Sequence, residues 1–244
     1  MNKKLVIILG ATCELGKELS KVYANNDYNL ILISRNFTKN NELKDKLLSQ
    51  FPKIEVKTYE LDILDLNNQN RIHKIIEESP DGIISLIGET HIFENINEKN
   101  LMKIININFT YLVNFLNLFL NDFEKRNKGF LICVSSVSGI RGRAKNFIYG
   151  SSKAALTTYL SGCRNFYNNS RLFIMTVLPG FIQNDIKNDQ NLNNFLAIKP
   201  SSLAKKIYSA HQKKKEVIYS SNLWRIIMFF IRILPNKIFN KITF

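Results

Sequence analysis

Short runs of branched apolar residues alternate with longer segments of helical periodicity along most of this 244-residue chain, and no other feature constrains its fold as tightly. The first run, Leu5-Val6-Ile7-Ile8-Leu9, carries no polar residue at all. Successive strand side chains point to opposite faces, so a strand can be apolar throughout only where helices cover both sides of its sheet. Comparable runs follow at 29–34, 54–59, 82–87, 130–135, 172–178 and 217–219, and helical patterns fill 15–25, 41–50, 67–78, 101–121, 149–167 and 201–212. That order predicts an α/β fold with a doubly wound, parallel seven-stranded sheet, in one domain over residues 1–220. The alternation stops after Tyr219, and residues 221–244 form a segment of another kind.

Cys13, Cys133 and Cys163 are odd in number and match neither a disulfide framework nor a zinc spacing, so they are expected as small core or loop residues in a reducing compartment. His73, His91 and His211 stand at no metal-ligand spacing; they are expected on the surface or on helices, and no metal is expected. The apolar run behind Met1-Asn2-Lys3-Lys4 ends at Gly10, too short for a signal peptide. No stretch of about 18 uncharged apolar residues exists, so no spanning helix is expected.

The first strand leads into Gly10-Ala11-Thr12-Cys13-Glu14-Leu15-Gly16 and then directly into a helical pattern. Glycines permit a tight turn and close backbone approach, and the N–H groups of a helix start attract a pyrophosphate. A plain strand-to-helix turn is the alternative reading. The second strand ends Ser34-Arg35-Asn36. NAD-selective dinucleotide folds place a carboxylate there, whereas Arg35 suits a 2′-phosphate, so NADP(H) is favoured and NAD(H) stays an alternative.

The most specific pattern is Ser135-Ser136-Val137-Ser138-Gly139 followed by Tyr149-Gly150-Ser151-Ser152-Lys153. Tyr149 and Lys153, four apart, share one helix face. Ser136 ends the preceding strand, at the sheet edge where ligands of such folds bind. Ketone reduction needs a proton donor at the developing alkoxide, and a tyrosine with a pKa of about 10 serves near neutral pH only beside a cation. Lys153 supplies that cation and a hand for a ribose, and Ser136 a hydrogen bond to the substrate oxygen.

These strings resemble the short-chain dehydrogenase/reductase family over residues 4–219. The resemblance implies a Rossmann-like fold and adds Asn108 as a fourth catalytic residue, supporting a water relay to Lys153. It places cofactor contacts at Gly10, Thr12, Leu15, Gly16, Arg35, Ile63, Gly88, Tyr149 and Lys153, at Asp62 beside the adenine, and at Pro179, Gly180 and Ile182 over the nicotinamide. It further implies a homo-oligomer, dimer or tetramer, joined through the helices at 101–121 and 149–167. The sequence departs from the family pattern in three places: Glu14 replaces the middle glycine of the turn, Ser85-Leu86-Ile87-Gly88 replaces Asn-Asn-Ala-Gly, and Asn184 replaces a threonine. Residues 183–199 are expected to close over the substrate.

The formal net charge is +14, and ten of the cations against one acid lie between Lys199 and Phe244, so +9 of it sits in the last 46 residues. There Arg225 and Arg232 share a helix face amid apolar neighbours, and Lys237, Asn240 and Lys241 oppose Ile238, Phe239 and Ile242. This is the build of an in-plane helix at an anionic membrane surface, with packing on the body or dimerisation as alternatives. Nucleic acid is not expected as a partner, because the aromatics lie among aliphatics instead of beside the charges.

Gly139-Ile140-Arg141-Gly142-Arg143, Tyr159-Leu160-Ser161-Gly162-Cys163-Arg164, the first turn and Trp224-Arg225…Arg232-Ile233-Leu234-Pro235 resemble the branch of the family that contains decaprenylphosphoryl-2-keto-ribose reductases of bacterial cell-envelope polysaccharide pathways. That resemblance implies a polyprenyl-phosphate-linked keto-sugar as substrate, with the protein cytoplasmic and peripheral on the inner face of the membrane. Arg141 and Arg143 would then meet the lipid-linked phosphate, or else form a solvated basic loop. A reductase of ketoacyl or other lipid ketones, and a non-catalytic nucleotide-binding membrane scaffold, are the competing readings.

Overall fold

The computed structural model describes residues 3–89, 97–183 and 196–241. Seven parallel strands, β1 (Leu5–Leu9), β2 (Asn29–Ser34), β3 (Val56–Glu60), β4 (Gly82–Ser85), β5 (Gly129–Val134), β6 (Leu172–Leu178) and β7 (Val217–Tyr219), lie in the order β3-β2-β1-β4-β5-β6-β7. Strand order reverses between β1 and β4, which opens a crevice at their carboxyl ends. This is the doubly wound Rossmann-like sheet expected from the alternation of apolar runs.

Alternate residues of each strand feed two cores. Val6, Ile8, Leu30, Leu32, Ile84, Ile132 and Met175 face α1 (Glu14–Ala24), α2 (Phe37–Gln50) and α7 (Pro200–Gln212). Ile7, Leu9, Ile31, Ile33, Ile83, Leu131 and Ile174 face α3 (Gln69–Glu77), α5 (Tyr111–Lys125) and α6 (Phe147–Phe166). Each such side chain, taken fully out of water, contributes about 1.5–3 kcal/mol, so the sheet is a rigid platform for whatever its edges carry.

Element boundaries shift where side chains cap helices. α2 starts at Phe37 instead of 41, because Asn36 Oδ1 accepts from Lys39 N at 2.9 Å. The helix expected over 101–121 starts as α4 (Glu98–Ile105), capped by Asn97, passes through a π-helical turn (Asn106–Thr110) and continues as α5. The run Glu98–Lys125 is long and apolar enough to cross a bilayer by length and composition, yet Leu112, Phe115, Leu116, Phe119 and Phe123 are packed on the sheet.

His211 differs from a plain surface histidine. It lies on α7 but is buried, and its Nδ1 shares a 2.8 Å hydrogen bond with the Tyr23 hydroxyl, itself held protonated by burial. Phe173 stacks on the imidazole, and burial pulls its pKa down to about 4. His73 is exposed on α3, and His91 lies outside the described residues. Cys133 and Cys163 are buried and Cys13 is exposed in the first turn; among the described residues no cluster fit for a metal occurs.

The C-terminal segment forms α8 (Asn222–Ile233) and α9 (Asn236–Phe239). Ser221 caps α8, and Trp224 and Met228 pack against Val137 and Leu178 as a third, small core.

Candidate active site

The crevice at the carboxyl ends of β1, β2 and β4 is a cleft of about 440 Å³. Gly10, Thr12, Arg35, Asp62, Ile63 and Gly88, all expected as cofactor contacts, line it. The first turn has the shape of a phosphate cradle: Gly10 sits at φ +90°, and a Cβ at Gly16 would stand 2.6 Å from Gly10 O, so only glycine lets the helix start this close to the strand. Cys13 caps α1, its Sγ accepting from Gly16 N at 3.3 Å. Glu14 opens the helix and pairs with Lys17 at 2.6 Å, so the turn accepts an acid in place of the middle glycine. Leu15 sends its side chain into the core, which leaves only its backbone to the cradle.

At the end of β2 the cleft is lined by Ser34, Arg35, Asn36 and Lys39. Two cations and no carboxylate at this strand end suit a nucleotide with an extra phosphate. Lys39 escaped the sequence reading, although its place four residues beyond Arg35 at a capped helix start was a usable signal. Asp62 lines the cleft and also closes a turn, its Oδ1 accepting from Leu64 N at 3.0 Å. The cradle, the cations and the cleft together fit a dinucleotide.

The catalytic candidates converge beside this cleft. Lys153 on α6 is 3% exposed; its Nζ donates to Ile87 O and Val134 O, each at 3.2 Å, and lies 5.9 Å from the centre of the Tyr149 ring. Burial lowers its pKa to about 8. Burial raises the Tyr149 pKa, while a hydrogen bond with Ser136 and the Arg143 charge oppose the rise. Ser136, buried at the end of β5, also accepts from Ser138 N at 3.1 Å. Asn108 is fully buried on the π-helical turn: its Oδ1 accepts from Glu89 N at 2.6 Å, and its Nδ2 donates to Glu89 O and Ser152 Oγ. Lys153 and Asn108 meet at Gly88, where a Cβ would stand 2.8 Å from Lys153 Nζ and 3.8 Å from Asn108 Oδ1. The sequence reading missed Ser135, whose Oγ donates to Lys153 O at 3.0 Å and so holds the helix turn that carries the lysine.

The loop after β6 is tied down at both ends, and Pro179, Gly180 and Ile182 are not among the residues that line the cleft. Val137 N donates to Pro179 O, Gly180 N donates to Ser220 Oγ, and Ile182 pairs with Ile198. Pro179, Gly180 and Ile182 thus stand beside the Ser136 strand end. Asn184 and most of 183–199 lie outside the described residues.

The two arginines expected at a substrate phosphate part company. Arg143 remains at the site, donating to Ser138 Oγ at 2.6 Å. Arg141 is a correction: its guanidinium donates to Ile231 O, Leu234 O and Asn236 Oδ1 and lies 3.9 Å from the centre of the Phe239 ring. Its charge is committed to the end of α8, because the tail's terminal carbonyls offer it acceptors.

The family model described as short chain dehydrogenase matches residues 4–194. The chain is 26% identical over 246 residues to the NADP-dependent 3-hydroxy acid dehydrogenase of Schizosaccharomyces pombe, covering 91% of this chain and 92% of that one. It is 27% identical over 186 residues to very-long-chain 3-oxoacyl-CoA reductase-A of Danio rerio, covering 73% of this chain but only 58% of that relative's length. Among solved structures, ElxO with NADP bound superposes with a TM-score of 0.81 at 21% identity, over 92% of this chain and all of the other. The short-chain dehydrogenase from Sphingobium yanoikuyae in complex with NADPH gives 0.80 at 16% identity, over 96% and 97%.

Proposed function

The chain belongs to the short-chain dehydrogenase family and is an NAD(P)-dependent oxidoreductase; we propose that it uses NADPH to reduce the ketone of a lipid-linked sugar at the cytoplasmic, anionic face of a membrane. The observation that carries the reductase reading is the convergence of Ser136, Tyr149, Lys153 and Asn108 beside a cleft with a glycine-built cradle.

NADPH, when bound, supplies the hydride. The chain's own groups manage the oxygen and its proton. Ser136 Oγ hydrogen-bonds the substrate carbonyl and fixes its direction. Tyr149, kept protonated by burial, donates its proton to that oxygen. The phenolate left behind is stabilised by Ser136 and by the charge of Arg143, with the Lys153 ammonium 5.9 Å from the ring centre. Lys153, held between Ile87 O and Val134 O, would also hold a ribose of the dinucleotide, and Asn108 fixes the loop after β4 beside Gly88. Gly10, Thr12, Gly16, Asp62 and Ile63 would hold the rest of the dinucleotide, and Arg35 with Lys39 supports NADPH over NADH.

The lipid-linked keto-sugar is supported by the resemblance of 139–143, 149–164 and 224–235 to the polyprenyl-phosphate branch and by the basic apolar tail. After the loss of Arg141 to the tail, Arg143 is the cation we assign to the substrate's phosphate. A homo-oligomer through α5 and α6 is supported by exposed Leu118, Phe147 and Phe166. A second reading, reduction of a 3-oxoacyl thioester, is favoured by the similarity to the Danio rerio reductase. A catalytically silent scaffold fits poorly with four catalytic groups kept together.

Single-turnover oxidation of NADPH with membrane-extracted lipid-linked keto-sugars, run in parallel with 3-oxoacyl-CoA, separates the two substrates by which product forms. Tyr149→Phe should still fold and bind NADPH but lose turnover by roughly 10²-fold or more. Full turnover in that variant would falsify the reductase assignment.

A further inference from the structure

The geometry points to α8 as a two-faced wedge: its outer face seats in an anionic bilayer while its inner face holds both lips of the substrate opening, so that the opening is presented to the lipid surface. The inference rests on the membrane reading above and specifies its surface, its orientation and its link to the site.

The inner face is fixed to the lips by named contacts. The Trp224 ring lies so close to Gly180 that a Cβ there would stand 2.0 Å from it, its Nε1 donates to Leu196 O at 2.9 Å, and Phe181 packs edge-on at 5.6 Å. At the other end of the helix Arg141, from the loop behind the catalytic serine, holds Ile231 O and Asn236 Oδ1 at 2.6 and 2.7 Å. The two lips touch each other through Val137 N and Pro179 O at 3.0 Å. One helix therefore braces the loop after β6 and the loop after Ser136 together.

The outer face is apolar and uncovered. Leu223, Ile226, Phe229, Phe230 and Ile233 are 38%, 54%, 60%, 59% and 60% exposed. At helical spacing they occupy an arc of about 120° opposite buried Trp224 and Met228. Arg225 and Arg232 stand on the rim of that arc, and α9 continues it with exposed Ile238 beside Lys237.

Charge selects the occupant. Residues 222–241 hold four cations, Arg225, Arg232, Lys237 and Lys241, and no acid. A second copy seated face to face would set these four against the same four, because a two-fold interface brings each patch against itself. An anionic bilayer instead takes the apolar arc at its acyl boundary and the cations at its headgroups.

Co-sedimentation of the full chain with phosphatidylcholine vesicles, with and without phosphatidylglycerol, tests the seat. We expect roughly tenfold stronger binding to the anionic vesicles. Phe229→Glu with Phe230→Glu should abolish that binding while NADPH fluorescence still reports a loaded cofactor site. Hydrogen exchange with anionic vesicles present should slow in α8 and in residues 180–183 and stay unchanged in α2. Equal binding by wild type and double variant overturns the seat, and unchanged exchange at 180–183 overturns the orientation. A tail-dependent dimer in sedimentation velocity, with no vesicle binding, assigns the face to a second copy and also overturns the inference. No readout requires turnover, so failure of docking and failure of the reductase assignment are distinguishable.

Discussion

As the proton donor we propose, Tyr149 has to be loaded with a proton at neutral pH and still be willing to release it, and its neighbours act on those two needs in opposite directions. Burial holds the phenol protonated; the hydrogen bond with Ser136 and the charge of Arg143 favour the phenolate once the proton has gone. The spacing of Tyr149, Lys153 and Ser136 was legible in the sequence because one helix and one strand end fix it. The fate of Arg141 was not legible, since its acceptors Ile231 and Asn236 lie 90 and 95 residues away. His211 was equally opaque: nothing local distinguishes a helix histidine facing water from one closed in by Tyr23, Phe130 and Phe173. Its consequence is pH-dependent stability. The native imidazole resists protonation until about pH 4, whereas the unfolded one takes a proton near 6.5. Between those values the unfolded chain binds more protons, so stability present above pH 6.5 falls as pH drops, by about 3 kcal/mol in full. His211→Gln should flatten that limb of the urea-midpoint profile against pH, and a variant whose profile parallels wild type would contradict the assignment.

Among the elements, the strands with unbroken branched runs, β1, β2, β6 and β7, begin and end where the residues alone placed them. The helix carrying Asn108 did not read through so simply. A π-helical turn shifts the backbone hydrogen bonds by one residue and scarcely disturbs the apolar period, so 101–121 looked like one regular helix; such turns gather at functional sites. For α8 the sequence displayed apolar residues nearly all round without saying which half is covered, because the covering residues Val137 and Leu178 come from distant strand ends. The tightest contact of that docking is the Trp224 ring on Gly180. Gly180→Ala places a methyl group 2.0 Å from the indole, and the helix or the loop has to move. We expect a loss of about 1–3 kcal/mol, with faster hydrogen exchange across α8; unchanged exchange there would show that the helix is held by other contacts.

At the scale of the molecule, the reversal of strand order between β1 and β4 gathers the glycine turn and the cations after β2 at one edge of the sheet, where Lys153 of α6 reaches Ile87 O. That gathering was inferable from the βα order, and one of the two cations lining the cleft from Arg35; the place of Lys39 depended on where α2 begins. Removing both, Arg35→Ala with Lys39→Ala, should raise the KM for NADPH by roughly tenfold or more and leave that for NADH nearly unchanged. Equal losses with both cofactors would assign the pair to general attraction of anions. Trp224 is the only tryptophan in the chain, and from the tail it packs on the loop after β6 at Gly180 and Phe181. The protein thus carries its own unlabelled optical gauge: indole emission overlaps the absorption of reduced nicotinamide, so one fluorescence trace follows both the seating of the tail and the filling of the site.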